Sequence, residues 1–194
     1  MKINIKKTKW LNCPTKNKIM DDYIEITTDP ETDFWQRTYY GFRRNNGHAL
    51  LFEEDKNFTF TARVDFKYKN RFDQCGLIVF VNEDNWCKTS LEHENKYFSR
   101  LGSVVTVNGY SDWATADSPN FQCIWYRINR RDSDFLVEYS LDKIEFKQMR
   151  IFHLPIKQNE LINFGFYACS PNQSSFTAIF SDFKLDGCIW LPHN

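Results

Sequence analysis

Apolar and polar side chains alternate with period two through one segment after another of this chain, and the rhythm restarts roughly every 10 to 20 residues after a cluster of turn formers. Phe60, Ala62, Val64, Phe66 and Tyr68 alternate with Thr61, Arg63, Asp65 and Lys67, which describes a strand with one buried and one wet face. Ile124, Tyr126 and Ile128 alternate with Trp125, Arg127 and Asn129 in the same way, as do Phe135, Val137, Tyr139 and Leu141 with Leu136, Glu138 and Ser140. Gly76 to Val81 is apolar on both faces and reads as a central strand. Leu141-Asp142-Lys143 reads as a hairpin connection into a strand over Phe146 to Ile151, and Leu161 to Cys169 and Phe176 to Leu185 supply two more. Asp29-Pro30, Asn45-Asn46-Gly47, Ser118-Pro119, Leu154-Pro155 and Ser170-Pro171-Asn172 are the candidate breaks. No window of about 12 residues carries a helical stripe. With no repeat and no linker, the pattern predicts one all-β sandwich spanning residues 1–194.

Composition limits what such a sandwich can do. Eighteen Phe, 9 Tyr and 6 Trp supply a large core, while 25 basic and 25 acidic side chains leave a formal net charge of zero. That balance removes the long-range attraction on which nucleic-acid and anionic-membrane binders rely, so neither partner is expected. The run Cys75 to Val81 is far shorter than the roughly 20 residues of a membrane span. The basic start, Met1 to Trp10, lacks the apolar stretch of a secretory signal, and a cytoplasmic location is expected. The six cysteines form no Cys-x-x-Cys pair and three of them sit in apolar segments, so free thiols are expected and neither a disulfide nor a zinc site. There is no Gly-rich phosphate loop, nucleophile elbow or His-Glu-x-x-His helix, and no cofactor or metal is expected.

Several blocks go further than periodicity. Thr32-Asp33-Phe34-Trp35-Gln36-Arg37-Thr38-Tyr39-Tyr40-Gly41-Phe42 runs on to Asn45-Asn46-Gly47-His48. Phe72-Asp73-Gln74-Cys75-Gly76-Leu77 is followed by Trp86-Cys87-Lys88-Thr89-Ser90-Leu91-Glu92. Then come Ser103-Val104-Val105-Thr106, Tyr110-Ser111-Asp112-Trp113, Glu138-Tyr139-Ser140-Leu141-Asp142 and Ala168-Cys169-Ser170-Pro171. In content and order these blocks resemble the DUF1349 family of concanavalin A-like proteins, over roughly residues 20 to 186. Asn45 stands where the family usually has an aspartate, and Ser90 where glycine is common. The resemblance implies a jelly roll of two curved antiparallel sheets whose concave face holds carbohydrate in lectin-like and glucanase-like relatives. The family itself is largely of unknown function, so the resemblance speaks to fold more than to activity.

The row Trp86, Lys88, Ser90 and Glu92 shares one strand face by its period of two. An aromatic, a cation and an anion in line suit stacking on a sugar ring and bonding to its hydroxyls. The plainer reading is a solvated strand with a weak Lys88 to Glu92 pair. Arg127 joins the same groove if its strand lies in the same sheet; otherwise its guanidinium packs on Trp125 for stability. Asp73 and Gln74, at a strand entrance, offer polar contacts to a ligand, or Asp73 simply forms a turn. Trp113 and Trp35 sit in loop-like sequence; Trp113 reads as a groove rim, whereas Trp35 caps the rim or plugs the sandwich end. Tyr40 belongs to the first block, and His48, next to Gly47, reads as a turn hydrogen-bonder.

Carbohydrate binding through Trp86, Trp113, Lys88, Glu92, Asp73, Gln74 and Arg127 is therefore the leading expectation. A glycoside-active enzyme is the second. It needs two carboxyls about 5 to 9.5 Å apart, and Glu92 with Asp73 or Glu94 are the candidates. A regulatory or scaffold module that docks through the aromatic groove or a sheet edge is the third.

Overall fold

A computed structural model describes residues 5–157 and 160–191. Among the described residues there is no α-helix, only a 3-10 turn at Ile5–Lys7. The strands are β1 (Lys9–Leu11), β2 (Lys16–Ile19), β3 (Tyr23–Thr27), β4 (Phe34–Gln36), β5 (Arg43–Asn45), β6 (His48–Glu54), β7 (Phe58–Phe66) and β8 (Gln74–Asn82). They continue as β9 (Asn85–His93), β10 (Ser99–Val107), β11 (Tyr110–Ser118), β12 (Cys123–Arg131), β13 (Asp134–Ser140), β14 (Lys147–His153), β15 (Ile162–Cys169) and β16 (Thr177–Gly187). A first sheet runs β1-β6-β15-β8-β9-β10-β11 and a second runs β14-β13-β12-β7-β16-β3-β2. Every pairing within them is antiparallel. The fold is a jelly-roll-like β-sandwich.

The inward members of each alternation meet between the two sheets. Phe60, Ala62, Val64, Ile124, Tyr126 and Ile128 of the second sheet face Cys75, Leu77, Val79, Phe164 and Phe166 of the first, all at most 1% exposed. Phenylalanine dominates this layer, with Phe58 stacked on Phe164 at 4.3 Å and Phe60 edge-on to it at 5.1 Å between centroids. In β16 the buried positions change phase: Ala178 and Phe180 point inward, then Phe183 and Leu185 do. An extra residue between Ser181 and Lys184, with Asp182 at φ 47°, produces that shift as a β-bulge.

Two features position the site. Asn108 (φ 51°) and Gly109 (φ 75°) form the two-residue turn that joins β10 to β11, which requires left-handed backbone at both residues. Trp113 is thereby the fourth residue of a nine-residue strand, not part of a loop. Trp35 likewise lies on a strand, in the hairpin β4-β5, which pairs only with itself. That hairpin covers the face of the first sheet turned away from the second and creates a smaller hydrophobic cluster there. Phe34 and Trp35 of the hairpin pack in it with Ile78, Phe80, Trp86, Val104 and Tyr167 of the sheet. The first sheet is thus buried on both faces over part of its area, which explains why Gly76 to Val81 reads as apolar throughout.

All six cysteines are unpaired, with Cys75, Cys87 and Cys169 buried. Among the described residues no helix is long and apolar enough to cross a membrane.

Candidate functional site

The hairpin stops short of covering the whole face, and a cavity of about 260 Å³ remains beside it. Its floor carries Gln74 of β8 with Lys88 and Glu92 of β9, and one side carries Val104 and Trp113 of β10 and β11. Pairing registers bring these residues together: Gln74 lies opposite Glu92, Lys88 opposite Val104, and Val104 opposite Trp113. Between the Lys88 and Glu92 rows the face is nearly bare, because Ser90 lies between Gly76 and Gly102. Neither glycine accepts a side chain: a Cβ at Gly76 would fall 1.9 Å from the Thr89 carbonyl oxygen, and one at Gly102 2.3 Å from that of Ala114.

The remaining wall comes from the hairpin and its loop: Asp33, Trp35, Tyr40, Phe42 and Arg44. The Trp35 indole N–H donates to the Thr38 carbonyl at 3.0 Å, which ties the ring to its own loop. Tyr40 meets Trp35 edge-on at 5.4 Å and stacks with Phe42 at 5.6 Å, so the loop presents a continuous aromatic surface. Tyr40 is 55%, Phe42 41% and Trp113 38% exposed. Phe72, held at φ 73° beneath the Arg71 guanidinium (4.5 Å), adds a further ring.

The polar groups are locked into two units. Lys88 Nζ donates to Asp33 Oδ1 at 2.9 Å, with side-chain exposures of only 4% and 13%. Burial opposes the Lys88 charge, but Asp33, Cys169 and Glu92 together outweigh it and hold the ammonium above its usual pKa. In the second unit Gln74 Nε2 donates to Glu92 Oε2 (2.6 Å) and to the Phe72 carbonyl (3.2 Å), and the Tyr167 hydroxyl donates to Gln74 Oε1 (3.3 Å). Burial pushes the Glu92 carboxyl from 4.5 up to about 7; Lys88 and Arg100 pull it down, and Asp33 and Glu94 push it further up. A carboxyl poised there switches between hydrogen-bond donor and acceptor near neutrality.

Of the seven sequence candidates, the structure brings Gln74, Lys88, Glu92 and Trp113 together around the cavity. The other three are corrected. Trp86 is fully buried beneath Phe34, 5.9 Å between centroids, and its indole N–H donates to the Glu83 carbonyl; the hairpin covers the ring that was expected to stack on a ligand. Asp73 is fully buried, accepting from the Lys69 and Asn70 amides and the Ser170 and Ser174 hydroxyls, so it organises loops. Arg127 belongs to the second sheet, where it grips Glu138 through two bonds (2.6 and 2.9 Å) and lies 3.8 Å over Phe146; Trp125 takes Arg63 instead.

In place of the Lys88 to Glu92 pair of the plainer reading, Lys88 pairs with Asp33. Neither Asp73 nor Glu94, the carboxyls considered as catalytic partners of Glu92, lines the cavity; Glu94 is held by Arg71 and Arg100. His48 bridges loops, its Nδ1 bonded to the Asn12 carbonyl and its Nε2 accepting from the Asp29 amide. Among the described residues no cluster of three or more His, Cys, Asp or Glu is placed to hold a metal.

Sequence reasoning missed Asp33, Phe42, Arg44 and Phe72 as cavity residues. Asp33, Phe42 and Phe72 lie in the quoted blocks, but nothing local says that Asp33 reaches a lysine 55 positions away.

The sequence profile of the family described as "Protein of unknown function (DUF1349)" matches residues 10–188. "Regulation of enolase protein 1" of Saccharomyces cerevisiae is 33% identical over 177 residues, which is 91% of this chain and 87% of that protein. A crystal structure of a functionally unknown protein from Saccharomyces cerevisiae superposes with a TM-score of 0.89 at 30% identity, over 97% of this chain and all of that one. The GH43 BlXynB protein of Bacillus licheniformis shares the fold alone, with a TM-score of 0.66 at 13% identity over 84% of this chain and 32% of its own.

Proposed function

This chain belongs to the DUF1349 family, and from that premise we propose that its outer-face pocket binds a saccharide or a similarly polyhydroxylated small molecule. The observation that carries the reading is the mixed composition of the cavity lining. Aromatic surfaces of Tyr40, Phe42 and Trp113 share the cavity with Gln74, Lys88, Glu92 and Asp33, the polar four all partly or fully shielded from solvent. Aromatic faces suit the C–H face of a sugar ring, and fixed polar groups at the base suit its hydroxyls. A cavity of about 260 Å³ favours a ligand of one or two rings.

Calorimetric titration with a panel of mono- and disaccharides tests this. Binding is expected to weaken at least about tenfold in Trp113→Ala, whose ring is part-exposed and belongs to neither hydrophobic cluster. A panel in which no saccharide binds, or binding unchanged by that substitution, would refute the reading.

A second reading is favoured by the name of the yeast relative, "Regulation of enolase protein 1". The hairpin loop carries Tyr39, 93% exposed, beside Tyr40, which suits contact with a protein surface. Adding the purified chain to an enolase assay is then expected to change the rate; an unchanged rate and no co-sedimentation would remove this reading.

A further inference from the structure

Resting on the saccharide reading of the same pocket, we propose that the Lys88 to Asp33 pair selects an uncharged ligand with two adjacent hydroxyls, a vicinal diol. An ammonium has three N–H donors. Among the described residues, Asp33 takes one of them, while the Tyr167 ring 5.9 Å away uses none. Asp33 Oδ1 is saturated, accepting from Lys88, the Phe34 amide (2.8 Å) and, weakly, the Cys169 thiol (3.8 Å). Asp33 Oδ2 receives no donor from the described residues. Both side chains line the cavity, so the bonding capacity left over opens onto it.

A lone hydroxyl satisfies only one of these two groups. Two hydroxyls on neighbouring carbons satisfy both: one O–H donates to Asp33 Oδ2 and the other oxygen accepts from Lys88 Nζ. Lys88 Nζ stands 2.9 Å from Asp33 Oδ1, and the free Oδ2 belongs to the same carboxylate, so the free donor and the free acceptor lie side by side, as two hydroxyls on neighbouring carbons do. Charge makes the same selection. The two charges cancel locally, an anionic ligand would also confront Glu92, and a cationic one would confront Arg44 at the rim. Hydrogen bonds to charged partners discriminate strongly, because a missing hydroxyl leaves a shielded charge unmet.

The test uses the full chain and methyl glycosides of glucose, galactose, mannose and xylose, with methyl glucuronide as the charged probe. The tightest neutral ligand is then replaced by its mono-deoxy analogues. Deleting either hydroxyl of one adjacent pair is expected to weaken binding at least about tenfold relative to deletion elsewhere. Lys88→Met alone strands Asp33 and endangers folding, so the matched variant is Asp33→Asn with Lys88→Met, its fold checked by thermal melting. That variant is expected to bind all mono-deoxy analogues within about threefold of one another.

Equal binding of all the analogues by the unmodified chain, a deoxy pattern that persists in the double variant, or tighter binding of the glucuronide overturns the diol assignment alone. Absence of binding to every glycoside overturns both it and the saccharide reading.

Discussion

Glu92 is the residue whose environment most changes its chemistry. Its carboxyl is held by Gln74 in a shielded wall, and burial raises it from 4.5 to about 7. A carboxyl that binds its proton more tightly folded than unfolded stabilises the fold fully below about pH 4.5, and that contribution is lost as pH rises to about 7. The loss is at most about 3 kcal/mol and is reduced by solvent screening at the cavity mouth. Glu92→Gln keeps an acceptor for Gln74 and cannot titrate. Denaturant titrations at pH 5 and pH 8 are therefore expected to show the unmodified chain losing stability relative to the variant as pH rises; parallel pH profiles for the two would contradict the assignment. Lys88 differs because its burial is compensated by a partner. Both side chains were recognisable as one strand face from the spacing alone, but their partners were not. Asp33 lies 55 positions from Lys88 and Gln74 lies 18 from Glu92, and pairings of that reach are set by topology.

Elements were more legible than contacts. The strands β7, β12 and β13 follow directly from alternation, because a period of two has one buried solution in a sandwich, while β8, β15 and β16 follow from apolar runs bounded by turn residues. Trp113 was misplaced in a loop for an identifiable reason: Asn108-Gly109 is a strong hairpin signal, and reading it places the tryptophan mid-strand. The fate of Trp86 is a different case. Its strand and its face were legible, yet the face is covered by a hairpin that starts some fifty residues earlier, so a ring expected in a ligand site fills a second small core. Arg127 shows the same limit, since an aromatic-cation-polar row looks alike on either sheet.

At the scale of the molecule, zero net charge and an aromatic-rich composition divide into two cores of unequal size on opposite sides of the first sheet. The larger is enclosed by two seven-stranded sheets. The smaller is roofed by a hairpin of three-residue strands that joins neither sheet and is fastened at its margins by bonds such as Gln36 amide to Ser111 Oγ (2.9 Å) and Arg43 to Asp84 (2.8 Å). Such a roof has its own opening equilibrium, shallower than global unfolding. Hydrogen exchange is expected to release amides of residues 34 to 45 well before those of β8, and uniform protection across both would show the molecule opening as one unit. Access for large ligands is then a question of kinetics: the rate at which this one hairpin lifts sets how quickly any ligand too wide for the open mouth reaches the ion pair at its base.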